Sequence, residues 1–287
     1  MIDRFIITTD LSPASSAIMN CLGSLKQYGA GECLLLQCLS HQEMTSIALS
    51  YTTAPLERML QEQKEGLEKQ GFSVATRIVS SNAKQEVNRI AEKDDYPLIV
   101  VGHSHSKVRD TFLGSIAYNV IYCARKPTLV VPVQKKGDEY FCIRPKGFGE
   151  HILYPTDFSE NADLAFSYVE DFVASGAKHV TMLHVQDRAR IEPYLRDRLE
   201  EFNEIDRSRL ESMKVSLNRR GNPVVDIDLA YGAPYTEIMR IVRERDISMV
   251  VMGSQGRGFI KELFLGSVSH NVARNSDAPV MLIPAKR

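Results

Sequence analysis

The chain has 287 residues, of which 44% are hydrophobic and 25% charged, and its formal net charge is −1 at pH 7. That length holds two ordinary domains, each with its own core, and the near-zero charge excludes an electrostatic case for non-specific nucleic-acid binding. No apolar stretch approaches the length of a membrane span, and Met1–Ile7 leads straight into a strand pattern rather than a signal peptide, so no membrane contact and a cytoplasmic location are expected.

The first predicted strand begins at Phe5 and ends in Thr9-Asp10-Leu11-Ser12, a polar cluster suited to capping the next helix. Strand patterns follow near Cys33–Cys38, Val74–Val79 and Leu98–Val101. The segment Ala83–Lys93 carries Val87, Ile90 and Ala91 at the spacing of one helix face. This half closes with Gly114-Ser115-Ile116-Ala117-Tyr118-Asn119-Val120 and the proline-initiated strand Pro127–Pro132. The stretch 134–149 then breaks the pattern with Gly137, Pro145, Gly147 and Gly149.

The second half repeats the first. It opens with Ile152-Leu153-Tyr154-Pro155-Thr156-Asp157-Phe158-Ser159 and closes with Gly266-Ser267-Val268-Ser269-His270-Asn271-Val272 and the strand Pro279–Pro284. Between these lie strand patterns near His179–Val185, Val224–Leu229 and Met249–Met252, and a helix over Tyr235–Arg245 with Ile238, Ile241 and Val242 inward. The long charged stretch Glu192–Arg220 is helical in spacing, with Gly221 as its stop. It reads as a solvated face, with a partner surface as the alternative. Duplication at this spacing predicts a tandem α/β protein. Each half is expected to be a doubly wound domain with a five-stranded parallel sheet flanked by helices. The boundaries expected are 1–134 and 150–287, with a linker over 135–149.

Chemistry concentrates in the second half. Gly253-Ser254-Gln255-Gly256 follows a buried strand, and after nine intervening residues Gly266-Ser267 opens a helix. Glycines let backbone amides approach a phosphate, and the helix N-terminus adds partial positive charge. Ser267 is expected to donate its hydroxyl and cap the helix. Arg257 either reaches a terminal phosphate or is solvated, and Met252 packs against a base or the core. Asp157 either accepts from a ribose hydroxyl or an adenine amino group, or caps the helix beginning near Ser159. In the first half, Gly102-His103-Ser104-His105 puts histidine where the second glycine belongs, and the spacing to Gly114 is one residue short. Weak or no nucleotide binding is expected there.

Two further groups are read as structural. Cys21, Cys33, Cys38, Cys123 and Cys142 include no CxxC pair and are expected to be buried reduced thiols. His103 and His105, with Asp110 nearby, suggest a metal, but no completing ligand adjoins them and no metal site is expected.

The residues Gly253, Gly256, Gly266 and Ser267 form the G-x2-G-x9-G-[ST] signature of the universal stress protein family, which the chain resembles over nearly its whole length as a tandem member. Asp157 and His184-Val185 fit the same pattern. The resemblance implies a fold of the adenine-nucleotide alpha-hydrolase type with ATP or AMP, and Mg as companion ion, at the carboxyl ends of the strands. It implies a site of Pro155, Thr156, Asp157, Val185, Met252, Gly253, Gly256, Arg257, Gly266, Ser267 and Val268. It also implies association through the last strands, as an intramolecular pseudo-dimer or a homodimer, and a stress-response regulator with an unidentified protein partner. No Walker lysine, His-x-Gly-His or Gly-x-Ser-x-Gly is present, so no catalytic residue is expected. A slow ATPase or autophosphorylating protein using Ser267 is the enzyme alternative, and a scaffold without nucleotide is the third reading.

Overall fold

A computed structural model describes residues 2–39, 54–79, 83–105, 115–144, 147–191, 196–256 and 265–286. The chain divides into two units, Met1–Pro145 and Lys146–Arg287. The first contains β1 (Arg4–Thr9), α1 (Pro13–Met19), β2 (Glu32–Cys38), α2 (Ala54–Glu68), β3 (Ser73–Val79), α3 (Ala83–Lys93), β4 (Leu98–His105), α4 (Ser115–Tyr122), β5 (Thr128–Lys136) and β6 (Glu139–Cys142). Its strand order is β3-β2-β1-β4-β5, all parallel, with β6 folded back antiparallel on β5.

The second unit contains β7 (Ile152–Thr156), α5 (Glu160–Ala174), β8 (His179–Asp187), α6 (Arg188–Ile191), α7 (Leu199–Arg220), β9 (Val224–Gly232), α8 (Pro234–Glu244), β10 (Met249–Gly253), α9 (Ser267–Asn275) and β11 (Val280–Ile283). Its order, β11-β10-β7-β8-β9, repeats that of the first unit, again all parallel. Every residue of β7, β10 and β11 is buried. Strands covered by helices on both faces have no solvent side, which is why these runs are continuously apolar rather than alternating. In both units the first and fourth strands are neighbours, so their carboxyl ends lie side by side.

The Thr-Asp-x-Ser repeat builds the same turn twice. Thr9 Oγ1 accepts from Leu11 N at 2.9 Å, and Thr156 Oγ1 accepts from Phe158 N at 3.0 Å. Asp10 Oδ1 accepts from Ser12 N at 2.9 Å, as Asp157 Oδ1 does from Ser159 N at 3.1 Å. Ser12 and Ser159 then cap α1 and α5 through their hydroxyl oxygens. The third residue of each turn is left-handed, with φ of 60° at Leu11 and 56° at Phe158. Non-glycine residues seldom adopt that conformation; here three hydrogen bonds per turn hold it.

Three expectations need amending. Lys135 and Lys136 belong to β5 and Glu139–Cys142 form β6, so part of the segment read as a linker is a hairpin of the first unit. That hairpin returns Cys142 to the end of α1, where it forms a disulfide with Cys21 across a Cα–Cα distance of 6.5 Å. The two cysteines are 121 residues apart, and nothing local in the sequence announces the pairing. Cys33, Cys38 and Cys123 remain free, and burial pushes the Cys38 thiol up to about 12. Gly221 follows the last residue of α7, as expected of its stop, with an extended backbone (φ −164°). Glycine is needed there for space, since a Cβ would lie 2.9 Å from both Val173 Cγ1 and Val173 O. Finally, Glu192–Leu195 lie outside the described residues, and α7 begins at Leu199. Among the described residues, no helix is long and apolar enough to cross a membrane.

At Gly102 an added Cβ would collide with the Cδ1 methyl of Ile18. Gly102→Ala is therefore expected to lower stability by about 1–3 kcal/mol. Ile18→Val deletes the colliding methyl at an expected cost of about 0.5–1.5 kcal/mol. The double variant should lose less than the sum of the two, measured as a coupling in urea unfolding.

Candidate functional site

The carboxyl ends of β7, β8 and β10 in the second unit surround a cleft of about 740 Å³. Pro155, Thr156 and Asp157 come from the end of β7 and the turn after it, and Val185 from β8. Met252 and Gly253 end β10, Gly256 lies in the following loop, and Gly266, Ser267 and Val268 lead into α9. All ten line the cleft. Arg257, the remaining expected residue, lies outside the described residues.

The loop after β10 is held by side chains that leave its glycines no room for a Cβ. At Gly253 a Cβ would lie 2.8 Å from Asn161 Oδ1, and at Gly256 it would lie 2.5 Å from Asp157 Oδ2. Asn161, in the first turn of α5, donates to Ile283 O at 3.0 Å and accepts from Gln255 N at 2.9 Å. One amide thus ties the loop to the end of β11. Ser269 Oγ donates to Gly253 O at 3.0 Å, and Gly266 N donates to Ser254 O at 2.7 Å. These bonds fix the backbone of both glycine-bearing segments before any ligand arrives.

Helix α9 differs from the expectation at its start. Gly266 is the N-cap, with no side-chain capping bond, and Ser267 is the first helical residue. Ser267 therefore does not cap the helix, because its own backbone is already helical; its hydroxyl and the first-turn amides border the cleft. Asp157 is not the cap of α5 either. That role belongs to Ser159, while Asp157 braces the turn through Oδ1 and brings Oδ2 up to Gly256.

The opposite wall comes from a helix that the sequence presents as solvated. Phe202, Ile205, Asp206 and Arg209 of α7 line the cleft. Asp206 is 9% exposed and accepts from Gln186 Nε2 at 3.1 Å. His184 Nδ1 lies 2.8 Å from Thr156 O, a group that only accepts, so Nδ1 is the donor; Nε2 faces Asp206 Oδ2 at 3.4 Å. The Arg209 guanidinium sits 5.1 Å from the centroid of the Phe158 ring and 3.7 Å from Asp206 Oδ1. Phe158 in turn meets His184 at 4.5 Å. Behind the cleft, Tyr154 is fully buried and donates to Ala162 O at 2.8 Å; burial pushes its phenol pKa upward.

In the first unit the equivalent strand does not turn away. β4 stays paired with β5 through His103, Ser104 and His105, three residues beyond Gly102, whereas β10 ends at Gly253. The residues 106–114 that would complete a comparison lie outside the described residues, as does Asp110.

The model of the universal stress protein family matches residues 1–132 and again 149–284. The chain belongs to the universal stress protein family. It is 35% identical over 154 residues to the universal stress protein MJ0577 of Methanocaldococcus jannaschii, covering 47% of this chain and 94% of that protein. It is 25% identical over 219 residues to a universal stress protein of Mycolicibacterium smegmatis, covering 75% and 70% of the two chains. Among solved structures, a universal stress protein from Archaeoglobus fulgidus superposes with a TM-score of 0.74 at 22% identity, covering 99% of this chain and 98% of that one. The likeness establishes a fold shared across both units.

Asn161 and the α7 wall are the site residues that sequence reasoning missed. Counted from the matched turns, Asn161 occupies the place of Ala14 in the first copy, so an amide found only in the copy with the glycine loop was a readable signal. Asn161→Ala leaves the Gln255 N–H and the Ile283 carbonyl without this partner. It is expected to cost about 1–3 kcal/mol in urea unfolding, and hydrogen exchange at the Gln255 amide should accelerate.

Proposed function

We propose that the second unit binds an adenine nucleotide, ATP or AMP, and that the protein is a stress-response regulator working through nucleotide-dependent conformation or partner binding. The observation that carries this reading is the convergence of Asp157, the Gly253–Gly256 loop and the uncapped start of α9 on one cleft. Without a Cβ at Gly256 the loop backbone passes close to Asp157 at the wall of this cleft.

In this reading the first-turn amides of α9 and the Ser267 hydroxyl meet the phosphates, where the helix dipole favours negative charge. Gly253 and Gly256 bring loop backbone against the same groups, and Arg257 reaches the terminal phosphate. Asp157 accepts from a ribose hydroxyl or the adenine amino group. Val185 presents backbone to the edge of the base, while Pro155, Thr156, Met252 and Val268 complete the walls. Mg would be held chiefly by the phosphates, would need no dedicated protein cage, and would supply charge neutralisation. The α7 wall, tied to β8 through Asp206, His184 and Gln186, is the element whose position the ligand would report.

The test is to denature freshly purified protein and identify released nucleotide by mass spectrometry, with stoichiometry per chain. About one adenine nucleotide per chain is expected. Gly256→Val should abolish co-purification, and Asp157→Ala should weaken added ATP or AMP about tenfold or more. An empty protein that also fails to bind added nucleotide would leave the scaffold reading. Two nucleotides per chain would put a second site in the first unit. Steady phosphate release lost in Gly256→Val would make the protein a slow ATPase.

A further inference from the structure

At the opposite end of the second unit's sheet, three side chains gather that have no part in the nucleotide reading. His151 immediately precedes β7, His179 begins β8, and Asp226 lies on β9. Each offers a ligand atom within 4.8 Å of the other two, and all three are half-buried. The two imidazole rings stack at 3.7 Å with only 8° between their planes. His179 Nε2 lies 2.8 Å from Asp226 Oδ2.

We infer that His151, His179 and Asp226 form a binding site for one divalent ion of the zinc class. Two imidazole nitrogens and one carboxylate oxygen are a zinc donor set, whereas magnesium and calcium select oxygen alone. Strand register explains the gathering. Ile152 pairs with Val180 and His179 with Val224, so His151 falls opposite His179, and Asp226 stands two residues along on the next strand. The support around the ligands is already built. The backbone N–H of His151 donates to Ser248 Oγ at 2.9 Å, and Ser248 N donates to His151 O at 2.8 Å. His151 Nε2 lies 2.8 Å from the buried Thr181 hydroxyl, and the ring also meets the Arg245 backbone; an ion would displace one of these contacts and keep the other as an outer support. Such outer contacts orient ligating histidines in metal proteins. Beside the cluster, Arg245 is engaged with Asp228 at 2.7 Å and stands 3.6 Å from Asp226.

The fold does not require these residues. In the first unit the matching register pair is Arg4 opposite Glu32, and the place of Asp226 is taken by Ala75. The same architecture forms there with no histidine at these places and with a single carboxylate, Glu32, opposite an arginine. An ion would replace the proton between His179 and Asp226, and the rings would have to open from their parallel stack, because an imidazole lone pair lies in its ring plane. Three protein ligands leave the fourth position for water, which makes the site exchangeable rather than closed. His184 stands five positions beyond His179 on β8, about 16 Å along the strand, so the site is distinct from the cleft.

The experiment is a calorimetric zinc titration of the full chain after EDTA dialysis. One zinc per chain is expected, weakened at least tenfold in His179→Gln and in Asp226→Asn and unchanged in His103→Gln. Asp226→Asn keeps an acceptor for His179 and removes only the charge. Native cobalt(II) absorption needs no variant: bands with the intensity of a four-coordinate nitrogen and oxygen site are expected. Zinc binding equal in native protein and both variants, or a cobalt spectrum identical to that in buffer, would overturn the assignment. A thiolate-to-cobalt band would also overturn it, by moving the ion to cysteine.

Discussion

The position of β10 between β7 and β11 governs the second unit. Because β10 pairs in parallel with both neighbours, three strands from the start and end of the unit finish at the same edge. The chain leaving β10 must then pass directly over the turn leaving β7. Asn161 is placed where these paths meet, and its amide holds the loop and the last strand at once. Packing this tight leaves no room for a Cβ at 253 and 256, which is why glycines stand there. The backbone there is fixed by the sheet and by these side-chain hydrogen bonds.

Comparison of the two units separates what the fold needs from what the site needs. Both keep the neighbouring first and fourth strands and the same left-handed turn, down to its three hydrogen bonds. They part at the end of the fourth strand. In the first unit β4 continues its ladder through His105, and in the second β10 stops at Gly253 and its chain bends into the cleft. A ladder continued by three residues is worth several backbone hydrogen bonds, so the glycine loop forgoes local pairing that the first unit retains. The hydrogen bonds of Asn161 and Ser269 offset that loss.

The sheet was legible because buried parallel strands are uninterrupted apolar runs, and because a doubled pattern checks itself. Ala83–Lys93 was read with its observed bounds, and β10 within a residue. The glycine positions were legible because their spacing has a steric reason. Three things were hidden. The pairing of Cys21 with Cys142 depends on a hairpin turn that composition reads only as a break. The role of α7 was masked because Asp206 occupies the inward stripe between Phe202 and Leu210, diluting the periodic signal with a charge that only the buried partners His184 and Gln186 account for. The His151, His179 and Asp226 cluster spans three strands, and register is not visible in a linear motif.

The turn at Asp157 bears on how such sequences are to be read. In the first unit Asp10 holds Ser12 N and the Ser15 hydroxyl, at 2.9 and 2.6 Å. Burial opposes its charge, yet these hydrogen bonds prevail and keep its carboxyl below the ordinary range. An aspartate there is retained by its own helix start, whether or not anything binds beyond it. It is therefore a poor diagnostic of ligand occupancy in a degenerate copy. Gly256 has a different duty: its lack of a Cβ is required only where the chain bends back against the aspartate. Across duplicated relatives, loss of the glycine and not of the acid should mark the copies whose loop no longer crosses that turn.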